Sequence, residues 1–206
     1  SMVNIKLTLS YDGAGLRGWQ KTPEGPSVEG HLEKVLVQVL SEPIYLQAAS
    51  RTDAGVHAEA QIVNFKTNKK GLDPKALRRS LNCLLPPQIL IQSVEIVKDS
   101  FHPTVLAKEK EYHYYLCYCD FQLPKFRHTS WHFPYSLDLV LMEKAARYFV
   151  GTHDFSSFCN SLALSQRDPH CTISEIRIEP IESKRLCIKV KGSRFLFRMV
   201  RNIVGT

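Results

Sequence analysis

The sequence lacks the long apolar segments that a membrane protein needs. No apolar run approaches the ~18 residues of a membrane-spanning helix, and no signal peptide is visible. The composition also excludes a disordered chain, because 44% of the 206 residues are hydrophobic and 23% are charged. We therefore expect a folded protein with no membrane partner, large enough for one large domain or two of roughly 100 residues.

Cysteines are few, and their spacing excludes two common uses. The six are Cys83, Cys117, Cys119, Cys159, Cys171 and Cys187. They are too scattered for a disulfide scaffold, and Cys117-Tyr118-Cys119 does not have the spacing of a zinc knuckle. We expect a reducing compartment, the cytoplasm, and no bound metal.

Acidic residues are absent after Glu182, and the charge becomes strongly basic there. The chain has 27 Lys and Arg against 20 Asp and Glu, a net charge of +7. The excess is carried by Lys184, Arg185, Lys189, Lys191, Arg194, Arg198 and Arg201. A second basic block contains Lys66, Lys69, Lys70, Lys75, Arg78 and Arg79. Such patches suit a polyanion, most often nucleic acid, although a solvated basic surface explains them equally well.

Hydrophobic periodicity in the first half predicts a familiar order of elements. Strands are expected over residues 3–9, 44–49, 57–65 and 89–97, and helices over residues 28–40 and 74–85. Ser27 is the expected N-cap of the first helix, and Asp73-Pro74 opens the second. The order β-α-β-β-α-β is that of the ferredoxin-like split unit.

The second half repeats this order without its last strand. Strands are expected over residues 107–119, 172–178 and 185–190, and helices over residues 137–150 and from a cap at Ser193 onward, with a polar stretch over 160–169. The prediction is an α+β fold of two ferredoxin-like, RRM-like halves, residues 1–104 and 105–206. We expect truncation to explain the absent strand, because the apolar helical pattern reaches Thr206 without a stop signal. Closure by another chain, or wrong strand predictions, are the alternatives.

The segment from Ser50 to His57 places an aspartate and an arginine between two predicted strands. Asp53 is followed two residues later by Gly55, which is typical of an Asx turn with Arg51 as a surface residue. The functional alternative is a loop that presents one carboxylate beside a guanidinium. Such a neighbour would keep Asp53 ionised at neutral pH.

Two further segments combine aromatic and basic side chains. Tyr112 and Tyr114 share one face of a predicted strand, either as core packing or as a platform on which a base stacks. Near the end of the chain, Arg194 and Arg198 lie four residues apart, as do Phe197 and Arg201. That pattern indicates either a solvated basic helix face or cations directed at phosphate or at Asp53.

Together these segments resemble the TruA-type tRNA pseudouridine synthases. The matching strings are Tyr11-Asp12-Gly13, Gly18-Trp19-Gln20, Ser27-Val28-Glu29-Gly30, Arg51-Thr52-Asp53-Ala54-Gly55-Val56-His57-Ala58 with Gln61 and Phe65, Leu85-Pro86-Pro87, Tyr112-His113-Tyr114, His153-Asp154-Phe155-Ser156 and Met199-Val200-Arg201-Asn202-Ile203-Val204-Gly205. They occur in order over nearly the whole chain. The block around Asp53 and the closing string are each specific.

The resemblance implies a fold, an activity and an assembly. It implies two ferredoxin-like halves joined in one continuous sheet, with the active cleft between them. It also implies isomerisation of uridine to pseudouridine in the anticodon stem-loop of tRNA, by a homodimer that needs no cofactor or metal. A non-catalytic RNA-binding module is the alternative, because residues 191–197 loosely resemble an RRM signature.

The resemblance also assigns roles to individual residues. Asp53 would be the catalytic aspartate, Arg51 its basic neighbour, Tyr112 the tyrosine packed against the target base, and Arg201 the cation that pairs with the aspartate. Besides Tyr112 and Arg51, we expect substrate contacts from His57, Lys66, Arg78, Arg79, Arg194 and Arg198. The aspartate could attack C1′, deprotonate C2′ or stabilise the positive charge that develops on the sugar, and the sequence does not choose among these routes.

Overall fold

A computed structural model describes residues 2–160, 168–182 and 184–206 of the chain. It divides into two compact units, Ser1–Ala107 and Lys108–Thr206. The hydrogen-bonded strands form two sheets, one in each unit. The α+β class predicted from the sequence is confirmed. No helix in the described part of the chain is long and apolar enough to cross a membrane.

The first unit is a four-stranded antiparallel sheet with helices packed on one face. Its elements are β1 (Val3–Tyr11), α1 (Val28–Leu40), β2 (Gln47–Ala48), β3 (Ala58–Thr67), α2 (Pro74–Leu84), β4 (Ile89–Val97) and the short α3 (Pro103–Leu106). The strand order is β2-β3-β1-β4. The core lies between sheet and helices, with Leu7, Leu36 and Leu81 fully buried.

The predicted caps of the two long helices in the first unit are confirmed. The Ser27 hydroxyl accepts a hydrogen bond from the Gly30 amide, 3.1 Å away. An Asp73 carboxylate oxygen accepts one from the Lys75 amide at 3.0 Å, and Pro74 occupies the first turn of α2. These side chains satisfy amides that the helix cannot pair itself.

The second unit is a five-stranded sheet. Its elements are β5 (Lys110–Cys117), β6 (Trp131–His132), α4 (Leu139–Arg147), β7 (Gly151–Asp154), β8 (His170–Glu182), β9 (Arg185–Gly192) and α5 (Met199–Gly205). The order is β6-β5-β9-β8-β7, and only the β5–β6 pair is parallel. Leu116, Leu186 and Val190 point into a core shared with Met199 of α5.

Several boundaries differ from the sequence prediction. The strand expected over residues 44–49 is only two residues long, and β6, β7 and α3 were not predicted. Seven residues of the polar stretch expected over 160–169, residues 161–167, lie outside the described part of the chain. Very short strands and single helical turns have too little periodicity to be recognised in a sequence.

The prediction that Ser193 caps the last helix is wrong. The Ser193 amide donates to the Thr172 carbonyl at 3.1 Å, so the chain still pairs with β8 at that residue. The helix begins at Met199, after Arg198 adopts a left-handed backbone conformation with φ 59°. Its amides after that point, such as that of Asn202, bond to carbonyls four residues earlier.

Candidate active site

Asp53 lies on a tight turn between β2 and β3. The Val56 amide donates to the Asp53 carbonyl at 3.1 Å, and Gly55 has φ 79°. A positive φ at this position suits glycine, which has no Cβ to clash with the backbone. The Asp53 side chain is half-buried, whereas Arg51 is exposed.

A second loop, residues 12–19, packs against this turn through main-chain hydrogen bonds. The Trp19 amide donates to the Thr52 carbonyl at 3.0 Å, and the Gly55 amide donates to the Leu16 carbonyl at 3.2 Å. The turn is thus held on both sides of Asp53 by backbone groups, and its position depends on how closely the two loops approach.

Two glycines make that approach possible. A Cβ at Gly13 would lie 2.1 Å from the Val56 carbonyl oxygen, and one at Gly18 would lie 2.5 Å from the Thr52 carbonyl oxygen. Both distances are far inside van der Waals contact with backbone atoms that cannot rotate away. Gly18 also has φ 85°. Any side chain at either position would push the loop away from Asp53.

Buried polar groups support the same turn from below. The Tyr11 hydroxyl lies 2.7 Å from Thr52 Oγ1. Gln61 Nε2 donates to the Ser50 carbonyl at 2.6 Å and lies 3.5 Å from the Tyr11 hydroxyl. The sequence comparison with the family included Tyr11 and Gln61 but gave them no role. Their signal was polarity at positions of β1 and β3 whose neighbours on the same face are apolar.

His57 connects the two loops. Its Nδ1 atom is 3.0 Å from the Gly13 amide and also 3.0 Å from an Asp12 carboxylate oxygen. A neutral Nδ1 accepts from the amide, and a protonated Nδ1 donates to the carboxylate, so the two contacts belong to different protonation states. Each state joins the ring to the start of the 12–19 loop. The structure therefore gives His57, predicted as a substrate contact, a role in loop packing.

Arg51 lies two residues before Asp53, at the start of the turn. The salt bridges and hydrogen bonds found for the described residues include none from the Arg51 guanidinium. That Arg51 keeps Asp53 ionised stays a prediction. The guanidinium is exposed next to the turn, which is a suitable position for a phosphate contact.

Tyr112 lies in the middle of β5, opposite Val190 of β9. Its ring meets that of Phe195 edge to face, with centroids 4.9 Å apart and planes at 74°. This contact fixes the plane of the tyrosine ring. It also argues against the RRM-like alternative, because β9 ends at Gly192 and Phe195 packs on Tyr112 instead of standing on an open strand.

Arg201 lies on the exposed side of α5, whose other side is buried through Met199, Val200 and Ile203. Asn202 Nδ2 donates to the Phe158 carbonyl at 2.8 Å and ties the helix to the turn at Ser156–Phe158. Within the described residues the Arg201 guanidinium has no hydrogen bond or ion pair. It is held by a well-packed helix and remains available to a ligand.

The other residues predicted to contact the substrate differ in how many interactions they make within the protein. Lys66 forms a salt bridge with Asp99 at 2.6 Å, and Arg78 Nε donates to the Ile91 carbonyl at 3.2 Å. Arg194 Nη2 donates to the carbonyls of Asp168 and His170 at 2.6 and 2.7 Å. Arg198 lies over the neighbouring Phe197 ring at 5.1 Å. Arg79 is exposed, and no bond from it occurs within the described chain.

Much of the positive charge near the end of the sequence is neutralised in space. Lys189 pairs with Glu179 at 2.7 Å, Lys191 with Glu109 at 3.2 Å, and Arg185 with Glu182 at 3.5 Å. The hydrogen bond to Lys189 lowers the pKa of the Glu179 carboxyl and raises that of the Lys189 amine. Three of the seven basic residues after Glu182 are therefore paired with acids in the described chain, and the choice between a polyanion site and a solvated surface stays open.

No metal site is formed by the described residues, where no three His, Cys, Asp or Glu side chains converge. The cysteines in this part of the chain are unpaired thiols. Burial raises the pKa of the Cys187 thiol and that of the Cys171 thiol. The thiols of Cys171 and Cys187 therefore behave as apolar core groups.

Comparisons with known proteins identify a matching family and several relatives of this chain. Residues 145–206 match the family described as tRNA pseudouridine synthase. The chain is 51% identical to "tRNA pseudouridine synthase A 2" of Protochlamydia amoebophila (strain UWE25), over 100% of this chain and 79% of that protein. It is 38% identical to "tRNA pseudouridine synthase A" of Thermotoga sp. (strain RQ2), over 99% and 82%. The protein of that name from Thermoanaerobacter sp. (strain X514) is 40% identical, over 100% and 83%.

Proposed function

Because the chain belongs to the tRNA pseudouridine synthase A family, we propose that Asp53 is the catalytic carboxylate with which it isomerises uridine in the anticodon stem-loop of tRNA. The activity class, a tRNA pseudouridine synthase, follows from family membership. The observation that carries the assignment of Asp53 is the doubly held turn on which it lies, between the Trp19–Thr52 and Leu16–Gly55 backbone bonds.

The reaction is an isomerisation whose atoms balance within the substrate. The N1–C1′ glycosidic bond breaks, the uracil rotates, a C5–C1′ bond forms, and the C5 proton is lost while N1 gains one. No electrons are exchanged with another molecule, so the balance requires no redox partner. An ionised Asp53 would act at the sugar, by attack at C1′, removal of a C2′ proton or stabilisation of positive charge.

Tyr112 is proposed to hold the uracil after the glycosidic bond breaks. Its edge-to-face contact with Phe195 fixes the ring plane, which favours stacking of a base on a preformed surface. The hydroxyl is a candidate acceptor for the C5 proton. This assignment rests on the resemblance together with the local packing of Tyr112.

Arg51 and Arg201 are proposed to supply positive charge to the reacting nucleotide. Both guanidinium groups are exposed, and neither is neutralised by an acid in the described residues. Removing a nucleotide from its stack costs a few kcal/mol, and contacts between arginine and phosphate can offset that cost. The pairing of Arg201 with Asp53 stays a proposal from the resemblance.

The finer description of the fold is also a proposal. The order β2-β3-β1-β4 and the element order β-α-β-β-α-β support a ferredoxin-like first unit. In the second unit, β8, β9 and β5 are adjacent in an order that matches three strands of the same arrangement. A homodimer is proposed from the resemblance alone, and a cytoplasmic location from the use of cysteine in the sequence.

A proton-release assay tests the role of Asp53. Anticodon stem-loop tRNA labelled with tritium at uridine C5 releases label when pseudouridine forms. We expect Asp53→Asn to abolish release while tRNA binding persists. Asp73→Asn is the matched control, because Asp73 caps α2 and asparagine caps a helix about as well as aspartate. Normal release by Asp53→Asn would contradict the proposal.

A further inference from the structure

Two polar side chains lie in the core of the first unit, beneath the active-site turn. Tyr11, the last residue of β1, and Gln61 in β3 are each 4% exposed. Leu9 pairs with Gln61 in the β1–β3 ladder, so Gln61 is close to Tyr11 on the face that otherwise carries Leu9 and Val63. Burying a hydroxyl and a carboxamide is unfavourable unless both are hydrogen-bonded. Packing alone would be satisfied by Phe and Leu.

The hydrogen bonds of this pair go to the residues on either side of Arg51. The Tyr11 hydroxyl bonds to the side chain of Thr52 at 2.7 Å. Gln61 Nε2 bonds to the main-chain oxygen of Ser50 at 2.6 Å, and at 3.5 Å it reaches the Tyr11 hydroxyl. We call Tyr11, Gln61, Ser50 and Thr52 the sub-loop network. It links β1 and β3 of the sheet to Ser50 and Thr52, which follow β2 and lead into Asp53.

Thr52 is held at two points. Its carbonyl accepts from the Trp19 amide at 3.0 Å, while its hydroxyl is bound to Tyr11. With both ends fixed, the peptide plane that leads into Asp53 has little freedom to rotate. Loss of the Tyr11 hydroxyl would keep the hydrogen bond between the Trp19 amide and the Thr52 carbonyl. The Thr52 side chain would then be free to rotate.

We propose that Tyr11 and Gln61 are positioning residues for uridine isomerisation, acting through Thr52 and Ser50 on the direction of Asp53 and Arg51. The proposal rests on the proposed role of Asp53. Both side chains are buried under the turn, so neither acts as a group that touches the nucleotide. Their contribution is to keep the carboxylate within the fraction of an ångström that the reaction geometry demands.

Tyr11→Phe is the most direct test, because it removes one oxygen and keeps the ring. We expect kcat for tRNA to fall roughly 10-fold to 100-fold, as for a small misplacement of a reacting group, with KM nearly unchanged. A general loss of folded protein would instead lower the fraction of active enzyme, which titration of binding sites with tRNA measures separately.

Variants at Thr52 separate positioning from packing. Thr52→Val should lose activity as Tyr11→Phe does, whereas Thr52→Ser, which keeps the hydroxyl, should restore most of it. The double variant Tyr11→Phe/Thr52→Val should be no slower than either single variant, because both remove the same bond. Additive losses in the double variant would overturn the proposal that Tyr11 acts through Thr52.

Thr67→Val is the matched control. Thr67 is fully buried at the other end of β3, and its hydroxyl bonds to Glu42. It should lower the melting temperature without slowing the reaction. A wild-type kcat in Tyr11→Phe would overturn the proposal. So would a Thr67→Val variant that loses as much kcat as Tyr11→Phe when the two variants are equally destabilised. Full activity of Asp53→Asn would instead refute the role of Asp53, and this result can be told apart from a failure of the positioning proposal.

Discussion

Two charged sites, one in each unit, are held in opposite ways. In the first unit, Asp53 lies on a turn fixed by backbone hydrogen bonds and by glycines that allow close approach. In the second unit, charged side chains of β8 and β9 are held by one another, as in the Lys189–Glu179 pair. A main-chain framework defines position to a fraction of an ångström, whereas exposed ion pairs contribute little free energy and tolerate movement. The first arrangement suits a reacting carboxylate.

Substitution of the glycines should have the largest effect on this contrast. Gly18 and Gly15 belong to the same loop and have similar backbone angles, φ 85° and 77°, but only a Cβ at Gly18 would overlap the Thr52 carbonyl. We expect Gly18→Ala to reduce kcat at least roughly 100-fold through displacement of the turn. Gly15→Ala should cost only about 1 kcal/mol of stability from backbone strain.

Steady-state kinetics and thermal melting of the two variants check this prediction. Equal reductions of kcat in Gly18→Ala and Gly15→Ala would contradict the prediction. They would show that the positive φ of the glycine matters and that the overlap with the Thr52 carbonyl does not. The comparison is well matched, because the new methyl group and its backbone conformation are nearly the same in both proteins.

Salt dependence of RNA binding should distinguish free from neutralised cations. Arg79 is exposed with no partner in the described chain, whereas Lys189 is paired with Glu179. If Arg79 contacts a phosphate, Arg79→Ala should reduce the slope of log K against log salt by about 1. Lys189→Ala should leave the slope unchanged. A reduced slope in Lys189→Ala alone would mean that RNA displaces Glu179.

Acid titration of stability gives the smallest expected effect. Because Lys189 lowers the pKa of Glu179 below 4.5, the stabilisation from this carboxylate is present above pH 4.5 and is lost as the pH falls through its folded-state pKa. The difference in melting temperature between the protein and Glu179→Gln should therefore be constant above pH 4.5 and shrink below it. Glu143→Gln, on α4, is the control. A difference that grows on acidification would contradict the assigned pair.

Local signals made much of the first unit predictable. Ser27 and Asp73 mark helix starts by side-chain bonds to amides only two or three residues away, and apolar alternation marks β1 and β4. The turn at Asp53 was recognised from Gly55 and from a specific string. Interactions of this kind depend on a few consecutive residues, so the sequence contains them directly.

Other features depend on residues that only the fold brings together. Glu179 of β8 neutralises Lys189 of β9, although the two residues are ten positions apart in the sequence. Tyr11 bonds to Thr52, 41 positions later in the sequence, and no local pattern marks that contact.

A one-carbon extension of the side chain tests most directly whether the fixed turn places Asp53 for the reaction. Asp53→Glu keeps the carboxylate and moves it outward by the length of a methylene group. In a single-turnover assay of pseudouridine formation, we expect a rate loss of at least roughly 100-fold, since backbone hydrogen bonds on both sides hold the turn in place. A rate near that of the unmodified protein would show that placement by the turn is not what the reaction requires.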